Sequence, residues 1–363
     1  MKIFQKSNIR VFLFCILGTI VLQSSKCGKD PVDPTPTLLL APVANFTASA
    51  TTITAGESIT FTDISTGSVV SRQWEISAGT YGSSTAASVV SQFIFDGIFN
   101  VQLTVTNASG STTKRLLVTV KPMMFIHTAG SNNTVGATTY FDNPVTNGQP
   151  NAVLIVTPLL KSTSVYVDKS LSVIYSNGKW GVFNQSGNNM TVGSQFCVFV
   201  KANTDKAFSI VATTSGSLGI LNHPSLNNNP NARFLITQHY LSSAPFVNNY
   251  PIGIYYSGGN WIVFNQNGYN MPTNARFNVV IDDKIFVVTA GTPNASNYSF
   301  SNTLLDNQPE SIVVATQYWT QVNNPNEIGV YYSYFTNQWT IFNENLKPMP
   351  TNAKFMVLSN RHL

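Results

Sequence analysis

Ile252-Gly253-Ile254-Tyr255-Tyr256-Ser257-Gly258-Gly259-Asn260-Trp261-Ile262-Val263-Phe264-Asn265-Gln266 is the stretch that decides the fold. Two runs rich in β-branched and aromatic residues flank Ser-Gly-Gly-Asn, a signature of two antiparallel strands joined by a tight turn. The hairpin is not unique. Trp180, Trp261 and Trp339 recur at nearly equal spacing, with a period close to eighty. Asn184, Asn265 and Asn343 follow each Trp by four residues, Met190, Met271 and Met349 by ten, and Phe196, Phe277 and Phe355 by sixteen. Upstream, Pro150, Pro230 and Pro309 precede the Trp by thirty or thirty-one positions, and Thr157, Thr237 and Thr316 follow those prolines by seven. Anchors that keep their offsets through three copies mark a repeated structural unit.

Each copy reads as an opening strand (124–129, 207–213, 285–290), a polar stretch and a Pro-centred turn. An apolar strand ending in Thr, the hairpin and a closing strand follow. Five or six strands suffice for a small sandwich or barrel. The third hairpin turn is two residues longer, as an exposed tip tolerates. The joint between copies two and three is Asp282-Asp283-Lys284, short enough to close a hairpin and weave the copies together. The strand count and the six-residue joint 201–206 favour instead three bodies, each with its own core.

Of 363 residues, 43% are hydrophobic, 12% aromatic and only 10% charged, against about 25% charged in an average soluble protein. Scarce Glu, Lys and Leu exclude a coiled coil, and abundant Thr, Val, Tyr and Phe exclude a disordered chain. The expected class is all-β, an immunoglobulin-like sandwich followed by three small sandwich or barrel modules. The net charge of +5 comes mostly from Lys2, Lys6, Arg10 and Lys26, and the remainder has 16 basic and 15 acidic residues. No basic cluster appears, so nucleic acid is not an expected partner.

The segment 1–26 has a positive start, an apolar stretch from Val11 to Leu22, and Ser24-Ser25 before Lys26-Cys27. That apolar stretch is shorter than the roughly 20 residues of a spanning helix and reads as an export signal. It resembles a bacterial lipoprotein signal, with Lys26 departing from the small residue usual before the Cys. The resemblance implies lipidation at Cys27, a membrane contact through that anchor, and display on the bacterial outer membrane. The other reading is an ordinary cleaved signal. Cys15 lies within the signal, so only Cys197 remains, in an apolar strand where it reads as a small buried hydrophobe. Asp30-Pro31-Val32-Asp33-Pro34-Thr35-Pro36-Thr37 reads as an extended tether. The expected divisions are a signal (1–26), a tether (27–41), a sandwich (42–122) and repeat copies at 123–202, 203–283 and 284–363.

In the sandwich, Phe99, Val101, Leu103 and Val105 alternate with polar residues, giving one buried and one wet face. Ala44-Asn45-Phe46, Gly56-Glu57-Ser58-Ile59-Thr60-Phe61-Thr62-Asp63, Trp74 and Gly97-Ile98-Phe99-Asn100-Val101-Gln102-Leu103-Thr104-Val105 resemble the polycystic-kidney-disease (PKD) domain. Trp74-Glu75-Ile76-Ser77-Ala78-Gly79 replaces the family's Trp-x-Phe-Gly-Asp-Gly. The resemblance implies a spacer or interaction module without chemistry. The repeats, with Pro-Asn-Ala, Trp-x-x-Phe-Asn-Gln and Phe-Asn-Val, resemble an uncharacterised repeat family of secreted bacterial proteins, which implies modularity but no activity.

Chemistry is sparsely signalled. Asp142, Asp168, Asp205, Asp282, Asp283, Asp306, Glu310, Glu327 and Glu344 make no symmetric carboxylate pair across the copies. No His-x-x-x-His, Cys-x-x-Cys, Gly-x-Ser-x-Gly or phosphate-loop pattern occurs, so neither a metal site nor a cofactor is expected. Trp180, Trp261 and Trp339 admit two readings, core packing or platforms for sugar rings with Asn184, Asn265 and Asn343 as hydrogen-bonding amides. Those amides also suit turns where strands end. Trp319 and Tyr334, extra aromatics of copy three outside the core pattern, are further candidate ligand contacts, and Tyr334 and Phe335 occupy its longer tip. Aromatics on loops suit binding better than those on strands. The expected function is therefore a non-enzymatic surface lipoprotein binding an extracellular glycan or protein. The alternative is a hydrolase, carbohydrate-active or other, with an asymmetric loop-built site.

Overall fold

The apolar runs that alternate strictly in the first domain and run unbroken in the repeats become strands of two kinds. Strict alternation fits a sheet with one wet face, and unbroken runs fit strands covered on both faces. A computed structural model describes residues 40–363, apart from 78, 80, 81, 95, 162–164 and 294. The signal, Cys27 and the tether lie outside the described residues. Among the described residues every regular element is a strand.

The PKD-like sandwich pairs a three-stranded sheet (Phe46–Ala48, Ser58–Asp63, Ser88–Gln92) with a five-stranded one. The long hairpin Gly97–Asn107 and Gly110–Lys121 dominates the second sheet, which Ser71–Ile76 joins. Val101, Leu103 and Val105 are fully buried, whereas Phe99 is only partly covered and stacks on Phe93 at 5.7 Å. Trp74 fills the space between the sheets, with Phe46 at 5.0 Å and its indole N–H donating to the Ala86 carbonyl at 2.9 Å. Ile76 and Phe93 are buried, so the core accommodates the departures from the family pattern.

Only Pro122 separates Gly110–Lys121 from the first strand of the repeats, Met123–Thr128. The junction is also packed: the sandwich core continues into Phe141, Val145, Phe196 and Val198 of copy one. Asp96 accepts from the Ala202 N–H at 2.9 Å and pairs with Lys201 at 3.4 Å.

In the repeats each copy splits between two sheets. Its opening strand (Met123–Thr128, Ala207–Val211 or Phe286–Thr289) pairs with its closing strand (Gln195–Lys201, Arg276–Ile281 or Lys354–Ser359). The closing strand pairs in turn with the Thr-bearing middle strand (Val153–Leu159, Phe234–Tyr240 or Val313–Tyr318). The hairpin leaves for the neighbouring sheet, where its first strand runs parallel to the middle strand of the next copy. The register is Ile174 opposite Tyr240, Ile254 opposite Tyr318, and Val330 opposite Leu159 of copy one. Three sheets of seven, seven and six strands thus close into a ring with pseudo-threefold symmetry.

The expectation of three bodies with separate cores is therefore corrected. One core cluster draws Ile155 and Phe199 from copy one, Trp261 and Phe277 from copy two, and Trp339 and Phe355 from copy three. The physical reason is edge satisfaction: a hairpin alone leaves one edge unpaired, and the next copy's middle strand supplies its partners. Asp282-Asp283-Lys284 does not close a hairpin either, because the strands on its two sides belong to different sheets.

The repeated anchors hold this ring together. The Oγ atoms of Thr237, Thr316 and Thr157 accept from the backbone N–H of Val156 (3.0 Å), Ile236 (3.0 Å) and Ala315 (2.9 Å) respectively. Each bond links one copy to another, and the three complete a cycle. The indole N–H groups of Trp180, Trp261 and Trp339 donate to the carbonyls of Gln149, Asn229 and Gln308 at 2.8, 2.9 and 3.1 Å. Each carbonyl belongs to the residue before an anchor proline, so Trp and Pro recur as a pair. Cys197 lies in the core, its thiol pushed up to about 12 by burial.

Candidate functional site

Trp180, Trp261 and Trp339 are buried in the core, so their faces are not available to a sugar ring. The platform reading is corrected here: the bulky rings sit on the inner face of their strands, where the ring's interior must be filled. Asn184, Asn265 and Asn343 are buried as well. Asn265 donates to the carbonyls of Tyr269 (3.0 Å) and Asn270 (3.3 Å), and Asn343 to those of Lys347 (3.0 Å) and Pro348 (3.2 Å). Asn184 accepts from Ser186 N–H at 3.0 Å. They hold the turns that follow the hairpins rather than meet a ligand.

The other face of each hairpin carries a second row of aromatics, largely covered by the neighbouring copy. Phe183, Phe264 and Phe342, three residues after each Trp, point away from the ring interior, and each meets an aromatic from the next copy. Phe183 meets Tyr240 at 4.8 Å, Phe264 meets Trp319 at 6.1 Å, and Phe342 meets Tyr166 at 6.1 Å. Trp319 also packs edge-on against Tyr255 at 5.1 Å and is half-buried, so it seals the joint between copies two and three. At Gly329 a Cβ would sit 2.8 Å from the Phe342 ring and collide with Glu344 Oε1, which keeps this face flat beneath the aromatic.

On copy three this face opens into a groove of about 500 Å³ lined by Asn297, Tyr298, Ser299, Tyr331, Ser333 and Phe335, among others. The strand Asn297–Phe300, the first hairpin strand Ile328–Ser333 and the hairpin tip position these side chains. The Ser299 and Thr336 hydroxyls, 3.4 Å apart, lie among the groove's lining residues, and Ser299 is anchored 2.8 Å from the buried Thr340 Oγ1 beneath. Of the two extra residues of the tip, Phe335 lines the groove's rim. Phe335 is 97% exposed and Tyr334 72%, the latter edge-on to Tyr332 at 5.1 Å. Copy one has a smaller groove at the matching place, about 350 Å³, where Tyr140, Asn177, and Lys179 paired with Asp142 replace the aromatic tip.

A second concavity lies where the three copies meet. A pocket of about 180 Å³ is lined by Asp168, Lys169, Asn249, Asn326, Glu327 and Asn345, among others. Glu327 also lines a cavity of about 70 Å³ between the middle strands, beside Thr157, Thr237, Thr316, Gln238 and Gln317. The Glu327 carboxyl takes a hydrogen bond from the Ser170 hydroxyl, and Glu344 Oε2 accepts from Val167 N–H at 2.7 Å. Burial pushes Glu327 up to about 7 and Glu344 to about 8, with each further raised by neighbouring carboxylates. Among the described residues no group of three or more His, Cys, Asp or Glu side chains is arranged to hold a metal ion. The scarcity of acids hid this pair in the sequence. The signal was a broken repeat: Glu344 stands five residues after its Trp, where the other copies have Gln185 and Gln266.

A family model described as a domain of unknown function, DUF7452, matches residues 98–191, 172–281 and 261–359. A PKD domain model matches residues 40–121. No curated protein is similar in sequence. Among solved structures, carbohydrate-binding modules of the β-sandwich superfamily share 14% identity over 67% of this chain and 92% of theirs, with a TM-score of 0.22. The I67–I69 I-band fragment of titin shares 9% over 68% and 92%, at 0.20. Chitinase ChiA74 from Bacillus thuringiensis shares 14% over 48% of this chain and 28% of its own length, at 0.17. Likenesses this shallow carry no argument about ligand or activity.

Proposed function

We propose, from the premise that this chain belongs to the DUF7452 family and carries a PKD domain ahead of three such repeats, that it is a non-enzymatic surface protein whose copy-three groove binds an extracellular glycan. The observation that carries this reading is the exposed Phe335 at the rim of a groove lined by hydroxyls and flanked by Tyr298 and Tyr331. Aromatic faces stack on sugar rings, and hydroxyl and amide groups fix their orientation. The lipid anchor at Cys27 and placement on the outer membrane belong to the same proposal and rest on the sequence; the PKD domain, packed onto copy one, would carry the ring at a fixed angle.

A glycan array probed with residues 42–363 tests the groove. Phe335→Ala is expected to lose binding with unchanged melting, and equal binding by both proteins would overturn the assignment. Labelled palmitate is expected to enter the wild type and not Cys27→Ser.

The pocket bearing Glu327 and Asp168 favours a second reading, hydrolysis by a partly buried carboxyl kept protonated near neutrality beside a second acid. Glycosidase activity lost in Glu327→Gln but kept in Phe335→Ala would support it over the first.

A further inference from the structure

The three joints of the ring are built alike, and one differs in chemistry. Where copy two meets copy one, Gln185 Oε1 accepts from Asn248 N–H at 3.3 Å. Where copy three meets copy two, Gln266 Oε1 accepts from Asn324 N–H at 2.9 Å. Where copy one closes on copy three, the acceptor is Glu344, bonded to Val167 N–H at 2.7 Å. A second acid stands at the same joint: Glu327 occupies the place held by Ser170 and Pro251 in the other copies and is bonded to Ser170 itself. Two joints therefore rest on neutral amides and the closing joint on two carboxyls, Glu344 buried and Glu327 partly buried.

We propose that this closing joint is a pH-sensitive latch, shut while Glu327 and Glu344 are protonated and loosened as they ionise. The groups facing the pair come from all three copies. Copy one supplies Asp168 and Ser170, with Lys169 tied to Asp168 at 3.0 Å. Copy two supplies Asn249 and Pro251, and Tyr250 beside them stacks on Tyr269 at 4.8 Å. Copy three supplies Asn326 and Asn345, and across the sheet Phe342 is flanked by Tyr331 and Tyr166. The charged neighbour that acts on both carboxyls is Asp168, whose sign disfavours their ionisation. An opened joint would return both groups to water, where a glutamate ionises near pH 4.3. Opening then releases protons, so the open population grows with pH, about tenfold per pH unit for each carboxyl still protonated in the closed form.

Amide hydrogen exchange of the full chain between pH 6 and 8 tests the latch, after correction for the intrinsic exchange rate. Val167 is expected to lose protection by at least about tenfold per pH unit over the lower half of that range, while Asn248 and Asn324, its counterparts at the neutral joints, stay level. Parallel behaviour of the three amides would overturn the proposal. The variant Glu344→Gln with Glu327→Ser, which installs residues the other copies use, is expected to make Val167 as pH-insensitive as its counterparts. A folded variant that keeps the wild-type response would equally overturn it. Should the variant not fold, the comparison of three amides within the wild type still decides.

Discussion

Each anchor residue answers a specific backbone need. A Trp here fills the interior and also satisfies a carbonyl that precedes a proline, so truncation loses both packing and a hydrogen bond. Trp261→Ala is expected to cost about 3–5 kcal/mol, measured by urea unfolding. Thr237→Val keeps shape and volume but leaves Val156 N–H without its acceptor. An orphaned buried donor costs about 1–3 kcal/mol, so this variant should be destabilised despite being nearly isosteric. His127 and His239 are pushed down to about 4 by burial. An unfolded His titrates near 6.5, so this contribution to stability is fully present above pH 6.5 and is lost as pH falls toward 4. The melting advantage of the wild type over His239→Asn should accordingly shrink across that window.

At the scale of the element, the hairpin is the unit that changes between copies. Its strands are fixed by register on both sides, but its tip contacts little and tolerates insertion. Deleting Tyr334 and Phe335 restores the tip length of the other copies. The expected outcome is an unchanged melting temperature with loss of whatever ligand the groove holds, checked by calorimetry and by the glycan array. Gly329→Ala tests the opposite case, because its Cβ would meet the Phe342 ring and Glu344. That variant should be destabilised although alanine suits a strand better than glycine.

For the whole molecule, cyclic sharing of sheets makes the three copies one folding unit. Residues 203–283 alone would lack partners for both the hairpin Ile252–Ser257 and the middle strand Phe234–Tyr240. Exposed edges of this kind promote aggregation. The isolated copy is therefore expected to be insoluble or to melt without a cooperative transition. Residues 42–363 should unfold in a single transition, since the core runs from the sandwich into copy one. A soluble copy two with its own sharp melting curve would contradict the ring.

The amino-acid order by itself determined the strands, the threefold repeat, the PKD-like sandwich and the burial of Cys197. These follow from local alternation, turn chemistry and fixed offsets, which a linear chain displays directly. It also marked Tyr334 and Phe335, because an insertion in one copy of a repeat stands out against the other two. Only the tertiary structure decided between beads and a ring. Strand pairing between copies depends on which edge a hairpin finds, and Ile254 beside Tyr318 carries no local signature of parallel pairing. The same holds for the indoles, whose inward or outward direction depends on which face of the sheet meets the core. Glu327 and Glu344 flank the third hairpin, whose register sets them side by side at its open end, the Glu344 N–H donating to the Glu327 carbonyl at 2.9 Å. What covers the pair is decided only by the tertiary structure, because that hairpin must close on the first copy, where Val167 and Ser170 meet the two carboxyls.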